Sequence, residues 1–209
     1  MCVLPEAKMF MHGDQTWIIG KDKGVANVLI LLKVPADSYF EPSDADKNRA
    51  KEKVVIDQPC CAFEPHVVAL FPSYFDGTKL MPTGQVLQAK NSAKFLHNVK
   101  ILGDERKGNG LPSKSLAPGG SVEFKLAPED GPIEVVCDVH PWMKAKLFAY
   151  DHPYAVVTGM DGTFEMKNVP IGTKLSVEFW HEAKGVFKTV EVTLAEKQIS
   201  DQGAVTISK

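Results

Sequence analysis

From Val54 onward the chain is cut into short apolar runs by clusters of Gly, Pro, Asn and Asp, and no segment carries a sustained helical period. That punctuation excludes a helical bundle and predicts strands. The runs are Val54–Ile56, Phe63–Leu70, Gln85–Lys90, Phe95–Leu102, Ser121–Leu126, Ile133–Val136 and Lys144–Tyr150. The breaks are Pro82-Thr83-Gly84, Asn91-Ser92, Gly103-Asp104, Pro118-Gly119-Gly120 and the stretch from Pro128 to Pro132. Gln85–Lys90 alternates with a period of two, as a strand with unlike faces does. Short strands at this rhythm argue for an all-β sandwich.

The flanks carry the same signals. Trp17–Ile19 is a short strand candidate, Lys21–Gly24 a turn, and Val25–Val34 a strand apolar enough for burial on both faces. After Tyr150 come Tyr154–Thr158, a hairpin turn at Met160-Asp161-Gly162-Thr163, and Phe164–Met166. The turn Pro170–Thr173 and the runs Leu175–Trp180, Phe187–Leu194 and Ala204–Ile207 complete the set. Between these regions Ser43–Lys53 is highly polar and reads as a solvated linker with one helical turn at most.

One stretch carries chemistry. Cys137-Asp138-Val139-His140-Pro141-Trp142-Met143 spaces a thiol, an imidazole and a thioether three residues apart, between two strand-like runs. Thiolate and thioether are soft ligands that favour copper, and Cys with two His and a weak axial Met describes a blue-copper electron-transfer site. The missing imidazole is available at His97, in Phe95-Leu96-His97-Asn98-Val99. Taken singly, each of these residues is more ordinary as core or surface; their combination points to a metal.

His-Asn-Val followed far downstream by Cys-x-x-His-x-x-Met resembles the cupredoxins, the blue-copper family of plastocyanin, azurin, pseudoazurin and amicyanin, and the loop spacing is nearest to amicyanin's. The resemblance spans about residues 54–150 and implies a Greek-key sandwich. It makes Cys137 the copper thiolate, His97 and His140 neutral imidazole ligands and Met143 the weak axial ligand. Asn98 would tie the two ligand-bearing segments together beside the sulfur. Pro141, with its fixed φ, would stiffen the loop. Trp142 would cover the copper or lie in an apolar patch where a redox partner docks beside His140; simple packing is the alternative.

A second resemblance involves the flanks. Val157–Phe164 and Val169–Leu175 look like the transthyretin-like, carboxypeptidase-regulatory type of β-domain, and the strand that normally precedes them matches Lys23–Ile30. The expected organisation is a cupredoxin domain over 54–150 inserted into, or fused with, a second small β-sandwich made of 1–53 plus 151–209. Insertion requires the ends of the inserted domain to lie close together. One enlarged sandwich is the alternative.

The remaining signals bound the role. A formal net charge of −2 gives no field that draws in nucleic acid or membrane, and no apolar run reaches the roughly 20 residues that span a bilayer. Cys60 and Cys61 are adjacent and would bond to each other only with strain. Pairing of either with Cys2 suits an oxidising compartment; free buried thiols are the other reading. Met1-Cys2 begins without a charged segment followed by an apolar one. A periplasmic or extracytoplasmic mature form whose leader has been removed is expected, with a cytosolic protein as the alternative and lipidation of Cys2 as a minor reading. His66 beside the vicinal cysteines, His152 and His181 are candidates for a second metal, though hydrogen-bonded structural roles are more ordinary.

The expected function is a type 1 copper electron carrier holding one mononuclear ion and acting on redox protein partners. Copper delivery or storage without redox turnover is the alternative. An enzyme ranks last, because multicopper catalysis needs a further His cluster and the chain has only six His.

Overall fold

The structure is a computed structural model that describes residues 15–35, 38–196, 200–201 and 203–208. In chain order the elements are β1 (Leu29–Lys33), α1 (Asp44–Arg49), β2 (Val54–Asp57), β3 (Val67–Leu70), β4 (Ser73–Phe75), β5 (Leu80–Pro82), β6 (Leu87–Lys90) and β7 (His97–Leu102). They continue with β8 (Gly110–Leu116), β9 (Ser121–Phe124), β10 (Glu129–Val136), β11 (Lys144–Ala149), β12 (Ala155–Val157), β13 (Lys174–His181) and β14 (Gly185–Thr193). A single turn of 3-10 helix, Glu105–Lys107, precedes β8. The chain forms two compact units. One takes Glu41–Pro153 with the described residues up to Ile18, the other Ile19–Phe40 with the residues from Tyr154 on. Residues 41–53, grouped by sequence with the flanks, thus lie in the first unit.

The first unit is a β-sandwich. A five-stranded sheet in the order β3-β11-β10-β7-β8 faces a three-stranded sheet β2-β6-β9. Pairing is antiparallel except for β3 with β11 and β2 with β6. Alternate residues point inward, Ile133 and Val135 on β10 and Ala145, Leu147 and Ala149 on β11, to meet Ile56, Leu87, Ala89 and Phe124 of the smaller sheet in one buried cluster. Each fully buried Leu, Ile or Phe contributes about 1.5–3 kcal/mol. Cys137 and Met143 belong to the same cluster, so the ligand loop is rooted in the core.

Three local readings change. The Pro128–Pro132 stretch does not end a strand: β10 runs through it, with its register against β11 shifting between Glu129 and Ile133. Gly131 supplies a φ of 90° at that irregularity, and Pro132 has no N–H that a ladder would need, which a bulge tolerates. The polar Ser43–Lys53 stretch holds a real helix. Ser43 caps it by accepting from the Asp46 N–H at 3.1 Å, and buried Asp46 takes Arg49 at 3.0 Å. Of Phe63–Leu70, only Val67–Leu70 is strand; Glu64 makes an isolated bridge to Asp57.

In the second unit the strands form one antiparallel sheet, β12-β1-β13-β14. β1 is central and its first four residues are buried on both faces. Val28, Ile30, Leu32, Leu175, Val177 and Phe179 build a cluster against which Phe164, Met166, Val169 and Val205 pack. Those four lie in irregular chain, so Phe164–Met166 and Ala204–Ile207 are cover and not strands, and the turn at 160–163 closes no hairpin. Trp17–Ile19 likewise reduces to a bridge between Ile19 and Val25. Gly24 and Gly162 meet back to back: a Cβ on Gly24 would stand 1.9 Å from the Asp161 carbonyl oxygen.

Among the described residues no helix is long and apolar enough to cross a membrane.

Candidate metal centre

Strand ends position the site. Cys137 follows the last residue of β10 and Met143 precedes the first of β11, and the ladder between those strands closes with Val136 opposite Lys144. The loop is tied inside that ladder: Cys137 N–H donates to the Met143 carbonyl at 3.3 Å, and Met143 N–H to the His140 carbonyl at 2.8 Å. The second bond makes His140-Pro141-Trp142-Met143 a β-turn with Pro141 at its second position, where a fixed φ near −65° belongs. His97 opens β7, paired with Leu116 of β8.

These segments bring His97, Cys137 and His140 together. Cys137 Sγ lies 3.9 Å from His97 Nδ1 and 3.9 Å from His140 Nδ1, and the two Nδ1 atoms are 3.0 Å apart. A triangle of those sides has its centre about 2.1 Å from each corner, close to the lengths of metal–nitrogen and metal–sulfur bonds. The donor set, two imidazoles and a thiol, fits a soft or borderline ion such as copper. Met143 is buried next to this group and held by the two loop bonds. Among the described residues no other set of three His, Cys, Asp or Glu gathers in this way.

The surroundings favour a neutral, oriented His97. Burial pushes the His97 imidazole below the usual histidine value, the neighbouring His140 adds to the fall, and the Cys60 backbone opposes both. A neutral ring keeps the Nδ1 lone pair available to a metal. Phe95 packs edge-on against His97, ring centroids 5.0 Å apart, and lies 6.1 Å from His140. On the solvent side, half-buried His140 contacts Trp142 at 5.1 Å. Leu96, Val139 and Trp142 are each more than half exposed.

Asn98 joins the two ligand-bearing segments. Its Oδ1 accepts from Cys137 Sγ at 3.0 Å and from the Val139 N–H at 3.2 Å. Its Nδ2 donates to Asp138 Oδ2 at 2.8 Å and to Ser113 Oγ. With both amide ends engaged, the side chain cannot flip without losing all four contacts. Sequence reasoning reached Asn98 but missed Asp138, Ser113 and Gln58, whose Nε2 donates to the Asn98 carbonyl at 3.0 Å. Asp138 was within reach as the neighbour of Cys137. Ser113 and Gln58 sit in no motif.

The other candidates are not among the gathered donor atoms. Cys60 is disulfide-bonded, which removes it as a thiolate ligand beside His66. Cys61 and Cys137 are free thiols. Burial pushes the Cys61 thiol up, with Cys137 adding to the rise. Cys2, whose pairing or lipidation was in question, lies outside the described residues. His152 stacks on Tyr150 at 5.5 Å, and His181 accepts the Ala183 N–H at 3.2 Å.

No family model matches the chain, and no curated protein does. Part of the chain resembles solved cupredoxin structures. A purple cupredoxin from Nitrosopumilus maritimus is 15% identical over 46% of this chain and 98% of its own, with a TM-score of 0.34. Amicyanin from Paracoccus versutus is 14% identical over 56% of this chain and 96% of its own, at 0.36. A copper-containing nitrite reductase from Thermus scotoductus is 14% identical over 57% of this chain but only 25% of its own, at 0.35.

Proposed function

We propose that this chain is a type 1 copper protein that passes single electrons between redox partners. The observation that carries the reading is the triangle of His97 Nδ1, His140 Nδ1 and Cys137 Sγ, whose sides suit one ion. Cys137 would bind as thiolate, His97 and His140 as neutral imidazoles, and Met143 as a weak axial thioether. A copper ion held there supplies a one-electron couple. The chain's part is to hold the donors still, so that little rearranges between oxidation states. The loop bonds around Pro141 and the Asn98 amide's contacts with the Val139 N–H, Asp138 and Ser113 do this; the Cys137 S–H donation to Asn98 Oδ1 is given up when the thiolate forms.

Burial favours a carrier over copper delivery or storage. Cys137 and Met143 are 1% exposed and His97 is 0%. Only His140 reaches toward solvent, within the apolar rim of Leu96, Val139 and Trp142. Such a surface suits a transient protein partner that docks, exchanges an electron through His140 and leaves, and no substrate is transformed. The Cys60 disulfide supports a periplasmic or other extracytoplasmic setting. We read the first unit as the cupredoxin domain and the second as a transthyretin-like β-domain. The close approach of Gly24 and Gly162, one in each matching segment, supports the latter.

The test is electrochemical. The copper-loaded full chain is cycled between oxidation states in the presence of a Cu(I) chelator. Reversible one-electron waves with the metal retained are expected. Transfer of Cu(I) to the chelator on reduction would favour delivery instead.

A further inference from the structure

Gln58 stands just past β2, fully buried, and its hydrogen bonds bracket the segment that carries His97. Its N–H donates to the Lys90 carbonyl at 3.0 Å and its carbonyl accepts the Ala93 N–H at 3.1 Å. Its side-chain Nε2 donates to the Asn98 carbonyl at 3.0 Å. The neighbouring Asp57 reinforces the near end, accepting from the Ser92 N–H at 3.1 Å and from Ser92 Oγ at 2.6 Å. One residue therefore grips the chain before the ligand at Lys90 and Ala93, and after it at Asn98.

The sheet explains why a side chain is needed there. β10 pairs with β7 only as far as Val136 opposite Lys100; beyond that point its chain leaves to form the Cys137–Met143 loop. His97–Val99 run past the end of that neighbour, and the Asn98 carbonyl is taken by an amide from the opposing sheet's edge. The same amide keeps Oε1 buried without a hydrogen bond. A buried acceptor left unpaired is destabilising, so the core alone gains little from Gln in place of an apolar side chain of similar size.

We propose that Gln58 is a positioning residue of the metal centre: it fixes the backbone at Asn98, and through it the stance of His97 and the Asn98 amide toward the ion. The proposal rests on the copper reading above. Gln58→Met removes the unpaired Oε1 and also frees the Asn98 carbonyl, so its two effects on the copper-free fold oppose each other. The ligand geometry loses its brace either way.

The experiment compares native, Gln58→Met and Gln58→Asn full-length chains; the Asn side chain stays polar but is too short to reach. Copper affinity is measured by chelator competition, the Cu(II) site by its absorption and electron paramagnetic resonance spectra, and the copper-free fold by urea unfolding. The expected result is an affinity lower by about tenfold, the low end of the range for a lost outer partner of a metal ligand, because Gln58 holds the residue after His97 and not His97 itself, with shifted Cu(II) spectra and a nearly unchanged copper-free midpoint. Gln58→Asn decides the matter if the Met variant does not fold. Native-like affinity and spectra in a folded variant would overturn the proposal. So would an affinity loss accounted for by an equal loss of copper-free stability, which a merely structural residue gives. A native chain that binds no copper would instead defeat the reading beneath, and it shows before any variant is compared.

Discussion

The two segments that supply the ligands are held in opposite ways. The Cys137–Met143 loop is fixed locally, by the hairpin ladder that ends at Val136 and Lys144, by its own two backbone bonds and by Pro141 in the turn. The His97 segment is fixed by side-chain braces, some near it and some remote. Asn91 Nδ2 donates to the Phe95 and Leu116 carbonyls at 2.9 and 2.8 Å, and its Oδ1 accepts from the Ala93 N–H at 3.0 Å. Gln58 reaches across 40 residues to Asn98, which in turn reaches across another 40 to Asp138. A site of this kind joins one preformed hook to one segment that exists only when the sandwich is assembled.

That contrast can be broken by substitution. Asn91→Ala should have the larger effect. Two backbone carbonyls lose a partner at about 1 kcal/mol or more each, while the Ala93 N–H keeps the Gln58 carbonyl, so copper-free stability should fall by about 2 kcal/mol. A urea unfolding curve reads this directly, and copper affinity should fall with it. A variant as stable as the native chain would mean that the His97 segment does not depend on its side-chain braces. Pro141→Ala should have the smaller effect, about 0.4–1 kcal/mol through the freedom it restores to the unfolded chain. The ladder and both loop bonds remain, so copper should still bind. A loss as large as that of Asn91→Ala would show that the loop is not preformed by its hairpin.

The same division separates what the sequence made legible from what it hid. Cys137, His140 and Met143 stand out because their spacing is local, and His97 because His-Asn-Val sits at a strand start. β8 was invisible: Gly110–Leu116 has no alternation of apolar residues, since most of it is solvent-facing at the edge of the sheet. With it went Ser113, a partner of Asn98. The short exposed hairpin of β4 and β5 was missed for the same reason. The Pro128–Pro132 stretch misled because turn residues also serve bulges. Phe164–Met166 and Ala204–Ile207 misled because an apolar run reports burial and not the ladder that would make it a strand. Gln58 left no local trace, since its partner is chosen by the fold.

The central claim is that Cys137 binds copper as a thiolate between two imidazoles, and the visible absorption spectrum of the Cu(II)-loaded full chain tests it most directly. An intense sulfur-to-copper charge-transfer band is predicted, and it should vanish in Cys137→Ala. A band that persists in Cys137→Ala, or a native Cu(II) protein with only weak ligand-field absorption, would contradict it.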